Sequence, residues 1–98
     1  MRARKKFVVI AYDIVNNRRR RKVEKEVSMY GVRVNKSVFE CMLSESQLEK
    51  LKASVLKLLD AKTDQVVYYT LCLDCFASIV YQPERRRPAE ELGSTSIV

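Results

Sequence analysis

The sequence predicts an α+β domain in which two helices cover one face of an antiparallel or mixed sheet. Three observations carry that reading. Runs rich in β-branched and aromatic residues fall at 6–14, 32–43, 65–73 and 77–82. Two stretches with apolar residues at helical spacing separate the first three of them. Glycine and proline number only two each, so regular elements should dominate the 98 residues.

The first strand reads Phe-Val-Val-Ile-Ala-Tyr-Asp-Ile from Phe7, and the polar pair Asn16-Asn17 supplies turn and N-cap chemistry. A helix over 18–30 follows, with Val23, Val27 and Tyr30 on its inner face and Gly31 as its stop. Residues 32–43 read as one strand. Val32 and Val34 lie on one face of it, and Phe39, Cys41 and Leu43 on the other. That switch of parity calls for a bulge or for burial of both faces. Ser44 opens a second helix, and Gln47 completes a capping box. Leu48, Leu51, Val55, Leu58 and Leu59 form the apolar stripe of this helix. After the polar loop 60–64 come a third strand at 65–73 and a short fourth at 77–82. The domain spans 1–82, and 83–98 read as a basic C-terminal tail.

This order is the split β-α-β, ferredoxin-like pattern, of the β-α-β-β-α-β type. Its helices cover one sheet face only. Yet both faces are apolar: in the first strand Val8, Ile10 and Tyr12 alternate with Phe7, Val9 and Ala11, and in the third Val66, Tyr68 and Thr70 alternate with Val67, Tyr69 and Leu71. An uncovered apolar face is best hidden by a second copy, giving a symmetric homodimer packed sheet to sheet. The alternative is a tail folded back over the sheet.

The net charge is +7, and it is clustered at Arg2 and Arg4 to Lys6, at Arg18 to Lys22 and at Arg85 to Arg87. Clustering of this kind favours a polyanion, with nucleic acid ahead of a membrane surface. No apolar stretch reaches the roughly 20 residues that span a bilayer. Tyr12 and Asp13 interrupt the first apolar run before a signal-peptide core is complete. The expected location is cytoplasmic, and three cysteines fit reduced thiols there.

Histidine is absent. Histidine-pair ribonuclease chemistry and histidine-containing zinc sites are therefore excluded, and a nuclease would need a metal-activated water. Asp13 is the candidate metal ligand. Magnesium accepts one or two carboxylates plus waters and phosphate, and a two-fold axis would let two copies of Asp13 share one ion. The competing role for Asp13 is structural: capping the turn or pairing with Arg20. Candidate nucleic-acid contacts are Arg18, Arg19, Arg20, Arg21, Lys22 and Lys36, against the alternative of a solvated face balanced by Glu24 and Glu26. Tyr12 and Phe39 have the chemistry to stack on bases, or else to fill the core or a dimer contact. Cys72 and Cys75 form a Cys-x-x-Cys placed after a strand, where buried, inert thiols are the expectation. Glu40, in mid-strand, is expected to pair with an arginine across the sheet.

Tyr12-Asp13-Ile14 at a strand end, an arginine-rich helix after a short turn, and Ser37-Val38-Phe39-Glu40 after Gly31 together resemble one family. It is the small CRISPR-associated adaptation nuclease, the Cas-two family, and the resemblance covers about residues 5–82. It implies a ferredoxin-like homodimer whose C-terminal segment, here 83–98, can pair with the sheet of the partner subunit, and which works with the CRISPR integrase in acquiring new spacers. Magnesium-dependent endonuclease activity on single-stranded RNA or duplex DNA is implied as well, with a non-catalytic DNA-binding scaffold as the alternative. The family's metal aspartate falls on Asp13, beside Tyr12. Its helix arginine falls on Arg20 with Lys22 following, its second-strand basic residue on Arg33 and its aromatic on Phe39. Asn35-Lys36 departs from the family's usual Gln-Tyr at that point, which removes an aromatic and adds a charge.

Overall fold

The computed structural model describes residues 4–83. The tail beyond Pro83, including the Arg85 to Arg87 cluster, lies outside the described residues. Seven elements follow one another: β1 (Lys5–Asp13), α1 (Asn17–Ser28), β2 (Gly31–Asn35), β3 (Val38–Ser44), α2 (Glu45–Leu56), β4 (Gln65–Leu71) and α3 (Leu73–Ala77). The strands form one sheet in the order β2-β3-β1-β4. Each pair is antiparallel. That is the ferredoxin-like arrangement expected from the sequence.

Two of the predicted elements need correction. Residues 32–43 are not one strand but the hairpin β2–β3, turning at Lys36-Ser37. The parity switch comes from this reversal, together with a register shift between Arg33 and Asn35. Asn35 helps to hold the turn, because its Oδ1 accepts the Lys36 N–H at 2.8 Å. The predicted fourth strand at 77–82 is also absent. Phe76 and Ala77 close the short helix α3, and no strand follows among the described residues. The outer strand is β4, so the fold type stands while its strands are divided differently.

Helix α1 begins where Asn16 accepts the Arg19 N–H at 2.9 Å, and its Val23 and Val27 are fully buried. It ends at Met29 in ordinary right-handed backbone, so Gly31 is not a left-handed stop. Gly31 is needed for space. A Cβ there would fall on Cys41 Sγ and on the Glu40 carbonyl oxygen, where β2 crosses β3. Helix α2 carries the predicted Ser44–Gln47 capping box and buries Leu48, Leu51 and Val55. It stops at Leu56, and Leu58 and Leu59 pack on the core from the following turn.

The main core lies between the two long helices and one sheet face. Val8, Ile10 and Tyr12 of β1 meet Phe39, Cys41 and Leu43 of β3 there, under Val23, Val27, Leu51 and Val55. Strand alternation sends Phe7, Val9, Ala11 and Asp13 to the opposite face. Part of that second face is covered by the chain after β4. Phe76 of α3 packs on Phe7, with ring centroids 4.5 Å apart, and Ile79 joins the same cluster. Tyr69, on the same face, stays 54% exposed.

Candidate functional site

The end of β1 divides the candidate residues between the two faces of the sheet. Tyr12 points under the helices and is 5% exposed. Its hydroxyl donates to Glu24 Oε2 at 2.6 Å and lies 2.9 Å from the Lys36 carbonyl oxygen. Glu24 also holds Arg33 at 2.9 Å and, one helical turn back, Arg20 at 3.9 Å. The Arg33 guanidinium lies over the Phe39 ring, 5.6 Å from its centroid, and Phe39 sits 6.2 Å from Tyr12. Tyr12, Arg20, Arg33 and Phe39 thus meet around one carboxylate.

Glu24 was the element sequence reasoning missed, since it read there as a counter-ion of a solvated face. Its position four residues after Arg20 was the available signal. Burial, reinforced by the hydrogen bond to Glu24, pushes the Tyr12 hydroxyl up to about 12. At neutral pH Tyr12 is a fixed donor and not a base.

Asp13 is exposed, at the register position opposite Gln65. Among the described residues its carboxylate has neither a hydrogen bond nor an ion pair. Asn16 caps the helix in its place, and Arg20 turns instead to Glu24 and to the Ile14 carbonyl oxygen at 3.5 Å. Both structural roles weighed for Asp13 are therefore filled by other groups. No cluster of three or more His, Cys, Asp or Glu able to hold a metal occurs among the described residues. A cation at Asp13 would find one carboxylate there, so water and phosphate would have to supply most of its shell. A hard, unpartnered oxygen donor fits magnesium in that limited sense.

The arginine run divides as well. Arg18, Arg21 and Lys22 are exposed, as is Lys36 in the hairpin turn. Arg19 is held by Asp64, with Nε–Oδ2 at 2.7 Å, and reaches Thr63 at 3.3 Å. The Asp64 side chain is completely covered, and the guanidinium holds its carboxyl below the usual range. Arg19 therefore ties α1 to the loop before β4.

Two other expectations change. Among the described residues Glu40 pairs with no arginine: it is 5% exposed, receives the Tyr81 hydroxyl on Oε2, and its Oε1 has no hydrogen-bond partner among them. Cys72 and Cys75 are exposed rather than buried, and Cys72 caps a helix rather than merely trailing a strand.

The family model described as CRISPR associated protein Cas2 matches residues 6–79, which takes in every element above except the first residue of β1. The chain belongs to the Cas2 family. A relative named CRISPR-associated endoribonuclease Cas2 4, from Rhodospirillum rubrum, is 42% identical over 69 residues, covering 70% of this chain and 56% of that protein. The chain thus spans little more than half the length of that Cas2 relative. Another, named CRISPR-associated endonuclease Cas2 2, from Thermus thermophilus, is 42% identical over 65 residues, covering 66% of this chain and 72% of the relative. Among solved structures, Cas2 of Streptococcus pyogenes at pH 6.5 superposes with a TM-score of 0.67 at 30% identity, over 74% of this chain and 94% of that one. No helix among the described residues is long and apolar enough to cross a membrane.

Proposed function

We propose that this chain is a magnesium-dependent endonuclease of CRISPR adaptation, acting as a homodimer on RNA or duplex DNA beside the CRISPR integrase. Asp13 carries the proposal. It is an exposed carboxylate at the end of a central strand, with no protein partner among the described residues. It also shares a sheet face with the half-buried Val9, Ala11 and Val67, where a second copy would pack. That packing sets the two copies of Asp13 about one axis. The relatives' names, endoribonuclease and endonuclease, support phosphodiester cleavage and leave the nucleic acid open.

Magnesium, when bound, supplies a Lewis acid and a water acidic enough to attack phosphorus. Asp13 holds the ion. Arg18, Arg21 and Lys22 hold backbone phosphates of the substrate, and Lys36 extends the basic surface. Tyr12, Arg33 and Phe39 keep the strand end rigid by their shared contacts around Glu24. Arg20, the more loosely held of the two arginines on Glu24, turns toward negative charge on the phosphate.

A second reading rests on a different observation. Most of the family's site residues are engaged with one another, on the sheet face opposite Asp13. A scaffold that grips duplex DNA by its backbone, without chemistry, needs no more than that rigidity and the exposed cations.

The deciding experiment treats labelled RNA and duplex DNA with wild type and Asp13→Ala, each with magnesium or chelator. Cleavage by wild type alone, and only with magnesium, is expected. Salt-sensitive duplex binding by both proteins with cleavage by neither establishes the scaffold. Equal cleavage by both removes Asp13 from the reaction.

A further inference from the structure

The nuclease reading leaves Cys72 and Cys75 without a role, and their setting differs from that of the third cysteine. Cys41 is fully buried, and burial pushes its thiol up to about 12. Cys72 and Cys75 are both exposed. Cys72 is the N-cap of α3, and its Sγ accepts the Cys75 backbone N–H at 3.4 Å. The two sulfurs are 3.3 Å apart, within hydrogen-bond reach of each other. These hydrogen bonds, the backbone one first, hold the Cys72 thiol below its ordinary range. The hydrogen bond to Cys72 raises Cys75.

Cys72 also lines an open groove of about 660 Å³ between β1 and the β4–α3 junction. Arg4, Lys5 and Lys6 line the same groove, with Asp74 as its single acid and Phe7 and Leu71 among its apolar residues. Lys6 is engaged by Glu45 at 2.8 Å. Arg4 and Lys5 have no ion pair among the described residues. The groove therefore offers cationic side chains, an apolar surface and a thiol in one place. With no third His, Cys, Asp or Glu clustered with the pair among the described residues, the donor set suits sulfur exchange better than closed metal ligation within one chain.

We propose that Cys72 and Cys75 form a redox-active dithiol that exchanges with an anionic low-molecular-weight disulfide bound in this groove. The Cys72 thiolate attacks one sulfur of the bound disulfide. The S–S bond of that molecule breaks, a mixed disulfide forms on Cys72, and one small thiolate leaves. Cys75, its proton lost to water, then attacks the Cys72 sulfur and displaces the second small thiolate. The protein pair is oxidised by two electrons, the small disulfide is reduced to two thiols, and the two cysteine protons end on those thiols. Helix α3 carries Phe76 onto Phe7, so the new bond forms at the edge of the partly covered sheet face.

The test incubates the reduced full chain with glutathione disulfide, quenches in acid, and maps thiols by alkylation and mass spectrometry. The expected product is an intramolecular Cys72–Cys75 bond with Cys41 still a thiol. Cys75→Ser should stop with one glutathione on Cys72. Cys72→Ser should react about tenfold more slowly. Serine is itself a good N-cap, so that variant keeps the helix start. A reduced wild type, bonds only between chains, or glutathione on Cys41 or Cys75 would each overturn the proposal. The double variant Arg4→Glu, Lys5→Glu tests the groove. It should slow glutathione disulfide at least threefold while sparing uncharged hydroxyethyl disulfide, and equal slowing of both refutes the charge recognition.

Discussion

Tyr12 and Asp13 are consecutive in one strand and occupy opposite environments. Tyr12 is buried beneath two helices, its hydroxyl donating to Glu24 and lying beside the Lys36 carbonyl oxygen. Asp13 faces solvent on the far side of the sheet, with no side-chain partner among the described residues. The difference follows from the two-residue period of a β-strand. A motif of adjacent residues at a strand end does not place them in one pocket. It places one where the core can fix it and the next where a ligand or a second chain can reach it. The Tyr-Asp pair thus divides into a rigid prop and an available ligand.

The sharpest way to break this comparison is Asp13→Ala. Loss of the metal ligand should lower cleavage about 100-fold or more. Since the side chain supports nothing in the fold, unfolding free energy should move by no more than about 0.5 kcal/mol. A variant that unfolds readily would show that Asp13 is structural and that its exposure misleads.

Glu24→Ala attacks the other side. It leaves the Tyr12 hydroxyl with one acceptor and strips Arg33 and Arg20 of their shared carboxylate. We expect a loss of about 1–3 kcal/mol in chemical denaturation. Cleavage, measured well below the unfolding midpoint, should fall far less than in Asp13→Ala. A fall equal to that of Asp13→Ala would place Glu24 in the chemistry itself.

Much of this arrangement was legible in the sequence. The capping box at Ser44 and Gln47, the Val23–Val27 face and the apolar strands on both sides of the sheet follow from spacing that local physics enforces. The hairpin was less legible. Asn35-Lys36-Ser37 carries only modest turn chemistry, and the residues flanking it are β-formers, so the run reads through. The split of the arginine cluster was not legible at all. Asp64, which claims Arg19, lies 45 residues away in sequence, and the fold alone brings the two together.

That split gives a third contrast, between cations that hold the protein and cations free to hold nucleic acid. Alanine at Arg18, Arg21 or Lys22 should weaken duplex binding and reduce the salt slope by about 0.9 for each phosphate no longer neutralised. Arg19→Ala should leave the slope nearly unchanged and lower stability instead. The destabilisation has a predictable pH dependence. The Asp64 carboxyl is held below its unfolded value, so its contribution is present above that unfolded value, near 3.9, and fades as pH falls through the lower folded one. The stability gap between wild type and Asp64→Asn should accordingly be open at pH 7 and close in acid. A gap independent of pH would mean that the ion pair is not its source.

Tyr12→Phe is the mildest change and the most specific for the prop. The ring and its packing on Phe39 remain, and only the hydroxyl, with the two acceptors it touches, drops out of the network. The cost at pH 8 should be about 1 kcal/mol. The informative readout is alkaline. Folding raises Tyr12 from 10.0 to about 12, so the neutral form is the one the native state favours. Its contribution is complete below pH 10 and is lost as pH climbs through 12. Tyr68 and Cys41 are raised by burial to about 12 as well, and they add to the same loss. Between those limits the folded wild type retains up to three protons that the unfolded chain has released, and Tyr12→Phe retains up to two. Denaturation curves at pH 8 to 11.5 should therefore show a shallower decline for the variant, with the two proteins converging in stability at the alkaline end. Parallel declines would mean that Tyr12 ionises as freely in the folded chain as in the unfolded one. The grip of Glu24 on it would then be too weak to fix the strand end from which Asp13 projects.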